Sequence, residues 1–187
     1  MKNGVVGKNE IEEAALAIVR EKGYGGLNAR ALANALGCST MPIFSRYGDM
    51  YGLKKALAVR ITEIYTGYID RGLAEDNGFR GVGRAYRKFA AEEKELFKLL
   101  FMTPKGEKTE FPTGDPNYGK VTDAAVAATG LSRENAERLY QEMWIFVHGL
   151  AVMSATGAQV YDDEKAEQMV SECFLALKRK MQEDENG

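Results

Sequence analysis

Histidine and tryptophan occur once each in this 187-residue chain, cysteine twice and proline four times. A lone histidine, His148, cannot supply the paired imidazoles of a zinc site. It could serve a Ser-His or Cys-His nucleophile, but no neighbouring residue argues for one. Cys38 and Cys173 are far apart in sequence and fall in segments that read as helical, so they are expected as free thiols of a reducing compartment. No apolar run approaches 18 residues, which excludes a membrane span. The opening MKNGVVGKNE lacks the apolar core of a secretory signal, and a cytoplasmic protein is expected. No segment alternates apolar and polar residues convincingly enough for a strand. What remains is rich in Ala, Leu, Glu, Lys and Met, and the expected class is all-α.

The most informative stretch is 28–53, NARALANALGCSTMPIFSRYGDMYGL. Asn28 is a suitable N-cap for a short helix over Ala29 to Leu36. Its apolar residues Leu32, Ala33 and Leu36 share one face. Gly37 sits where a helix C′ residue needs positive φ. Ser39 is expected to cap a second helix reaching Tyr47, with Pro42 inside its first turn, where a missing N–H costs nothing. Ile43, Phe44 and Tyr47 are expected to anchor that helix. Gly48 ends it, and Asp49 caps the next. Two short helices joined in this way form a helix-turn-helix, which places its second helix in a DNA major groove.

The charge distribution agrees. The formal net charge is −2, yet residues 1–60 hold nine Lys/Arg against five Asp/Glu, a balance of +4, and the remainder holds 16 against 22, a balance of −6. A positive head on a negative body suits a head that meets a polyanion. Around the motif, a first helix is expected from Lys8 to Lys22 with Ile11, Ala14, Ala15, Ile18 and Val19 inward. A long fourth helix should run from Asp49 to Arg71 on Leu53, Leu57, Ile61, Ile64 and Tyr68. Further helices are expected over 79–93, 95–102, 119–129, 133–155 and 162–182, giving nine in all. Residues 103–118, with three prolines and two glycines, read as a loop, and the acidic tail EDENG reads as frayed. Ser132 with Asn135 reads as the cap of the eighth helix.

This layout resembles the TetR/AcrR family of transcriptional repressors. The family's turn and recognition helix read Gly-Val-Ser-x-x-x-Leu-Tyr-x-x-Phe-x-x-Lys-x-x-Leu. Gly37, Cys38, Ser39, Ile43, Phe44, Tyr47, Met50 and Leu53 occupy those places here, and Asn28, Leu32 and Ala33 match the family's Thr-x-x-x-Ile-Ala. Asn28 replaces the usual capping Thr. Phe44 replaces a Tyr and Met50 a Lys, both of which commonly reach phosphate, and Lys54 or Lys55 stands one turn beyond. Trp144-x-x-x-His148-Gly149 resembles the Trp-His-Gly signature of one group of C-terminal domains in this family.

The resemblance implies a helix-turn-helix DNA-binding domain over 1–50 and an effector-binding and dimerisation bundle over 51–187. It implies a homodimer reading a palindromic double-stranded operator, released by a small apolar or aromatic effector, with neither membrane partner nor cofactor. The expected DNA face is Asn28, Arg30, Ser39, Thr40, Met41, Pro42, Phe44, Ser45, Arg46, Tyr47 and Lys54. The expected effector contacts are Tyr86, Phe89, Phe97, Phe101, Tyr140, Trp144 and His148, since bundle pockets are largely apolar; as a bland alternative these rings are simply core, and His148 merely faces the bundle or the dimer seam. Small residues Gly149, Ala151, Ser154, Ala155 and Gly157 suit a close dimer seam or an ordinary crowded core. No residue reads as catalytic. The rival functions are a helical small-molecule binder or enzyme with a vestigial head, and an activator or architectural DNA binder.

Overall fold

The first helix, α1 (Lys8–Lys22), begins where Glu10 reaches back to accept the Gly7 N–H at 2.7 Å. It buries Ile11, Ala15, Leu16, Ile18 and Val19, so Leu16 takes the place expected of Ala14. The computed structural model describes residues 6–102 and 114–186. Among these there are nine α-helices, one short 3-10 turn (Tyr24–Gly26) and no strand, as the composition implies. No helix among the described residues is long and apolar enough to cross a membrane.

Two compact units divide the chain. The first takes the described residues to Ile64 and those from Glu93 to the end of α6. It contains α1, α2 (Ala29–Leu36), α3 (Met41–Tyr47), the opening of α4 (Met50–Leu73) and α6 (Lys94–Phe101). Asp49 caps α4 as expected, its Oδ1 accepting the Gly52 N–H at 2.7 Å. Leu53, Leu57 and Ile61 are fully buried, and along the same helix Tyr65 and Ile69 follow at four-residue steps. Each such step exceeds one turn by roughly 40°, so the buried face swings round the helix. That drift leaves the expected Ile64 and Tyr68 only half-buried. In this unit Arg20 of α1 makes a two-pronged ion pair with Glu93, both contacts at 2.8 Å. Leu96 and Phe97 of α6 are fully buried, and Phe97 packs against Phe101 at 5.1 Å between ring centres.

The second unit comprises the end of α4, α5 (Gly78–Glu92), α7 (Tyr118–Thr129), α8 (Arg133–Thr156) and α9 (Asp163–Asn186). Here α4 and α5 meet backbone to backbone at Gly72 and Gly81. A Cβ on Gly72 would lie 2.6 Å from the Gly81 carbonyl oxygen, and one on Gly81 would meet the Gly72 carbonyl oxygen more closely still. Ser132 caps α8, its Oγ accepting the Asn135 N–H at 3.3 Å.

The acidic tail departs from expectation: α9 stays helical through Asn186 rather than fraying from about Gln182. Its carboxylates have partners at the start of α8. Ser132 N–H and Asn135 Nδ2 donate to Glu185, and Arg138 pairs with Asp184 at 3.0 Å. A negative group at a helix N-terminus is favoured by unpaired N–H groups and by the helix dipole. The expected loop over 103–118 falls largely on residues 103–113, outside the described residues. Its described end, 114–117, is an ordered turn that buries Asp115 and Asn117.

Candidate functional site

In the first unit, α2 starts where Asn28 Oδ1 accepts the Ala31 N–H at 2.9 Å. It stops at Gly37, whose φ of 64° and ψ of 31° lie in the left-handed region. Gly37 N–H bonds Asn34 O and Cys38 N–H bonds Ala33 O, the paired closure of a Schellman motif. This tight stop turns the chain into α3. The cap of α3 is not Ser39. The helical bonds begin from Thr40 O, which accepts from Ile43 and Phe44, and no side chain caps the helix. With Thr40 as the cap, Pro42 falls in the second helical position, within the turn whose N–H groups lack helical partners, as expected.

Seven residues make about two turns, so α3 depends on what it packs against. Ile43 is its only buried residue, at 0% exposure. Tyr47, four residues on, shares that side, and its hydroxyl donates to Glu12 at 3.0 Å. Burial and the Glu12 carboxylate push the Tyr47 phenol far above its ordinary range, so it remains a donor. Arg46 Nε donates to Val6 O at 3.0 Å. Phe44 does not anchor the helix as expected: it lies roughly 100° round from Ile43 and is 39% exposed. Met41 is 75% exposed. With Ser45 and Arg46 also exposed, α3 carries an open face of mixed apolar and polar groups. Asn28, Arg30 and Ser39 are exposed, and Thr40 and Pro42 are half-buried. Lys54 rests its ammonium over the Tyr24 ring at 4.3 Å.

The second unit holds a cavity of about 100 Å³, partly open to solvent, between α4, α5, α8 and α9. Tyr86, Tyr140 and Trp144, all expected effector contacts, line it. Tyr65, Phe79 and Phe174 also line it and were not expected. Phe79 packs edge-on against Tyr140 at 6.2 Å and against Phe174 at 6.0 Å. His148 stands just behind the wall. Its ring stacks on Trp144 at 4.6 Å and its Nδ1 lies 2.9 Å from the Tyr86 hydroxyl. Burial holds the His148 imidazole below its ordinary pKa, so it is neutral at pH 7.

Four expected contacts do not line this cavity: His148, and three that lie farther off. Phe89 is fully buried against Tyr65 and Tyr68. Phe97 and Phe101 pack inside the first unit with α6. The spacing of aromatic residues marked them as bulky and inward, but nothing local said which body their helix joins.

Behind the cavity wall lies a buried carboxylate that sequence reasoning missed. Asp115 is 5% exposed. Tyr65 Oη donates to its Oδ2 at 2.7 Å, and Asn117 donates to its Oδ1 from the backbone N–H at 2.7 Å and from Nδ2 at 3.0 Å. Among the described residues no Lys, Arg or His pairs with it. Burial and the nearby Asp115 charge together push the phenols of Tyr65, Tyr86 and Tyr140 well above their ordinary range. All three are therefore neutral donors at physiological pH.

A helix-turn-helix head and a separate helical body holding an apolar cavity are the parts of a helix-turn-helix transcriptional regulator. A family model described as "Tetracyclin repressor-like, C-terminal domain" matches residues 79–176, just over half of the chain. The chain belongs to the tetracycline-repressor-like (TetR) family of DNA-binding transcription regulators. The matched span contains Trp144, His148 and Gly149, the residues of the C-terminal signature. An uncharacterised HTH-type transcriptional regulator of Mycobacterium tuberculosis is 25% identical over 180 residues, covering 91% of this chain and 79% of that protein. A protein of unknown function from Rhodococcus sp. RHA1 shares the fold, with a TM-score of 0.69 at 21% identity over 91% of this chain and 92% of that one. The TetR family repressor AlkX from Dietzia sp. strain DQ12-45-1b covers 92% of this chain and 96% of its own at 14% identity. Its TM-score of 0.39 is too low to carry weight.

Proposed function

We propose that the protein is a homodimeric repressor of the cytoplasm that leaves its operator when a small molecule enters the cavity of the second unit. The observation that carries this reading is the pairing of an α3 face open to a partner with an aromatic-lined cavity in the same chain. Ile43 and Tyr47 hold α3 from behind, which leaves Thr40, Met41, Phe44, Ser45 and Arg46 for the major groove. Thr40 suits a base edge or thymine methyl, and Met41 and Phe44 suit thymine methyls. Asn28, Arg30, Ser39 and Lys54 surround that face and suit the phosphates on either side, whereas Pro42 has no donor and the Tyr47 hydroxyl is held by Glu12. Two copies are needed to read two half-sites one helical turn apart. A surface for that pairing is available on α8 and α9. Ile145, Gly149 and Met153 follow each other at four-residue steps, and Ile145, Met153 and, on α9, Leu175 are exposed apolar side chains. The body acts as a sensor, with Tyr86, Tyr140 and Trp144 as effector contacts.

In vitro selection from random duplexes tests the reading. Wild-type protein should enrich an inverted repeat, and Arg30→Ala with Thr40→Ala should lose that enrichment while remaining folded. Enrichment of no sequence, or equal enrichment by the double variant, would overturn it.

A further inference from the structure

We propose that the cavity of the second unit receives a cationic head group of the tertiary or quaternary ammonium type, an inference that rests on reading this cavity as the effector site. Six aromatic side chains from four helices line a space of only about 100 Å³, among them Tyr65, Tyr86, Tyr140 and Trp144. A closed cavity of about 150 Å³ holds benzene, so the inner part of this space takes one compact group, and its open side lets the rest of a longer ligand extend outward. Aromatic faces carry negative potential, and rings converging from several sides favour an alkylated ammonium over a hydrocarbon of the same shape.

The second observation is Asp115. A carboxylate that is 5% exposed, with three donors turned toward it and no cationic side chain paired to it among the described residues, is an unbalanced negative group. Burying such a group is costly unless an opposite charge compensates it. It lies one hydrogen bond behind the cavity, through the hydroxyl of Tyr65, which itself lines the space. The cationic side chain that does reach the cavity, Arg80, is already matched, since its Nε donates to Glu167. An anionic ligand would meet the Asp115 field unscreened. A neutral ligand would leave the carboxylate with its three hydrogen bonds but with no counter-charge among the described residues. A compact cation satisfies the rings and the carboxylate at once.

Choline and 3,3-dimethylbutan-1-ol test this, because they differ by the exchange of N⁺ for carbon at the same shape. Binding to the full-length protein is followed by calorimetry and by the fluorescence of Trp144, the chain's only tryptophan. Choline should bind about tenfold or more tightly than the alcohol. Asp115→Asn, nearly isosteric, should bring the two affinities together by weakening choline alone. Should that variant fail to fold, the wild-type ratio still decides. Equal affinities, tighter binding of the alcohol, or binding of neither overturns the cationic site. Operator release, measured in parallel, separates this outcome from the effector reading. An alcohol that binds and releases DNA sinks only the cation, and choline that binds without affecting DNA sinks only the effector role.

Discussion

Truncating Ile43 to alanine should loosen the recognition helix while leaving the second unit intact. Ile43 is the only buried residue of a seven-residue helix, and it is completely enclosed. Removing an enclosed isoleucine down to its Cβ costs about 2–5 kcal/mol through lost burial and the cavity left behind. The remaining braces are the Tyr47–Glu12 and Arg46–Val6 hydrogen bonds, each worth about 0.5–1.5 kcal/mol. The lost packing therefore matches or exceeds what is left, and a helix of two turns does not persist alone in water. Amide exchange of α3, read at Phe44 and Gly48, should accelerate roughly thirty-fold to a few thousand-fold. Exchange of α5 and the fluorescence of Trp144 should not change. Phe44→Ala is the control: its ring is open to solvent, and its truncation should alter stability by less than about 1 kcal/mol. Equal effects of the two variants, or an Ile43→Ala variant whose α3 exchange is unchanged, would refute this account of what holds the helix.

Arg30→Ala and Thr40→Ala should each weaken operator binding by about 1–3 kcal/mol without moving the unfolding midpoint, as gel shift and thermal melting would read; unchanged affinity in both would mean the DNA face is wrongly placed. Gly81→Ala drives a methyl into the Gly72 carbonyl, which is backbone and cannot swing aside, so it should destabilise by about 1–3 kcal/mol or more in urea unfolding, whereas Gly83→Ala, with open space around it, should not. The lowered pKa of His148 sets the sign of a pH effect. Below its ordinary value of 6.5 the unfolded chain takes up a proton that the folded chain resists, so stability falls as pH drops from 6.5 toward the folded pKa. His148→Gln should flatten that part of the stability profile between pH 7.5 and 5.5, and an unaltered slope would show that other groups set it. Trp144→Phe should remove the optical signal of ligand binding while leaving operator affinity nearly intact.

Local chemistry made the head legible. Asn28 and Gly37 bound α2 at both ends, Asp49 starts α4 and Ser132 starts α8, and each uses a hydrogen bond or a positive φ that one residue type supplies. The error over Phe44 came from the shortness of α3: in two turns, one position is the difference between inward and open. The cavity was half legible. Tyr86, Tyr140 and Trp144 sit on strongly periodic helices, but Phe79, Phe174 and Tyr65 join them only because four helices converge. Placing Phe97 and Phe101 required knowing that Arg20 holds Glu93 from 73 residues away. Asp115 was hidden in a stretch rich in turn formers, where an aspartate ordinarily faces water. Its burial depends on Tyr65 and Asn117, and no local pattern announces that. The tail was misread for the same reason, because its acidic residues look solvated until the start of α8 is set beside them.

The measurement that bears most directly on the proposed mechanism is the stoichiometry and linkage of a single equilibrium. The selected duplex is titrated with protein in the analytical ultracentrifuge, with and without a cavity ligand. Two protomers should bind per duplex, and a ligand that weakens DNA binding must itself bind the DNA-bound protein more weakly by the same factor, typically about 5–150-fold. One protomer per duplex, or a ligand with equal affinity for the free and DNA-bound protein, would contradict a dimeric repressor induced through its cavity.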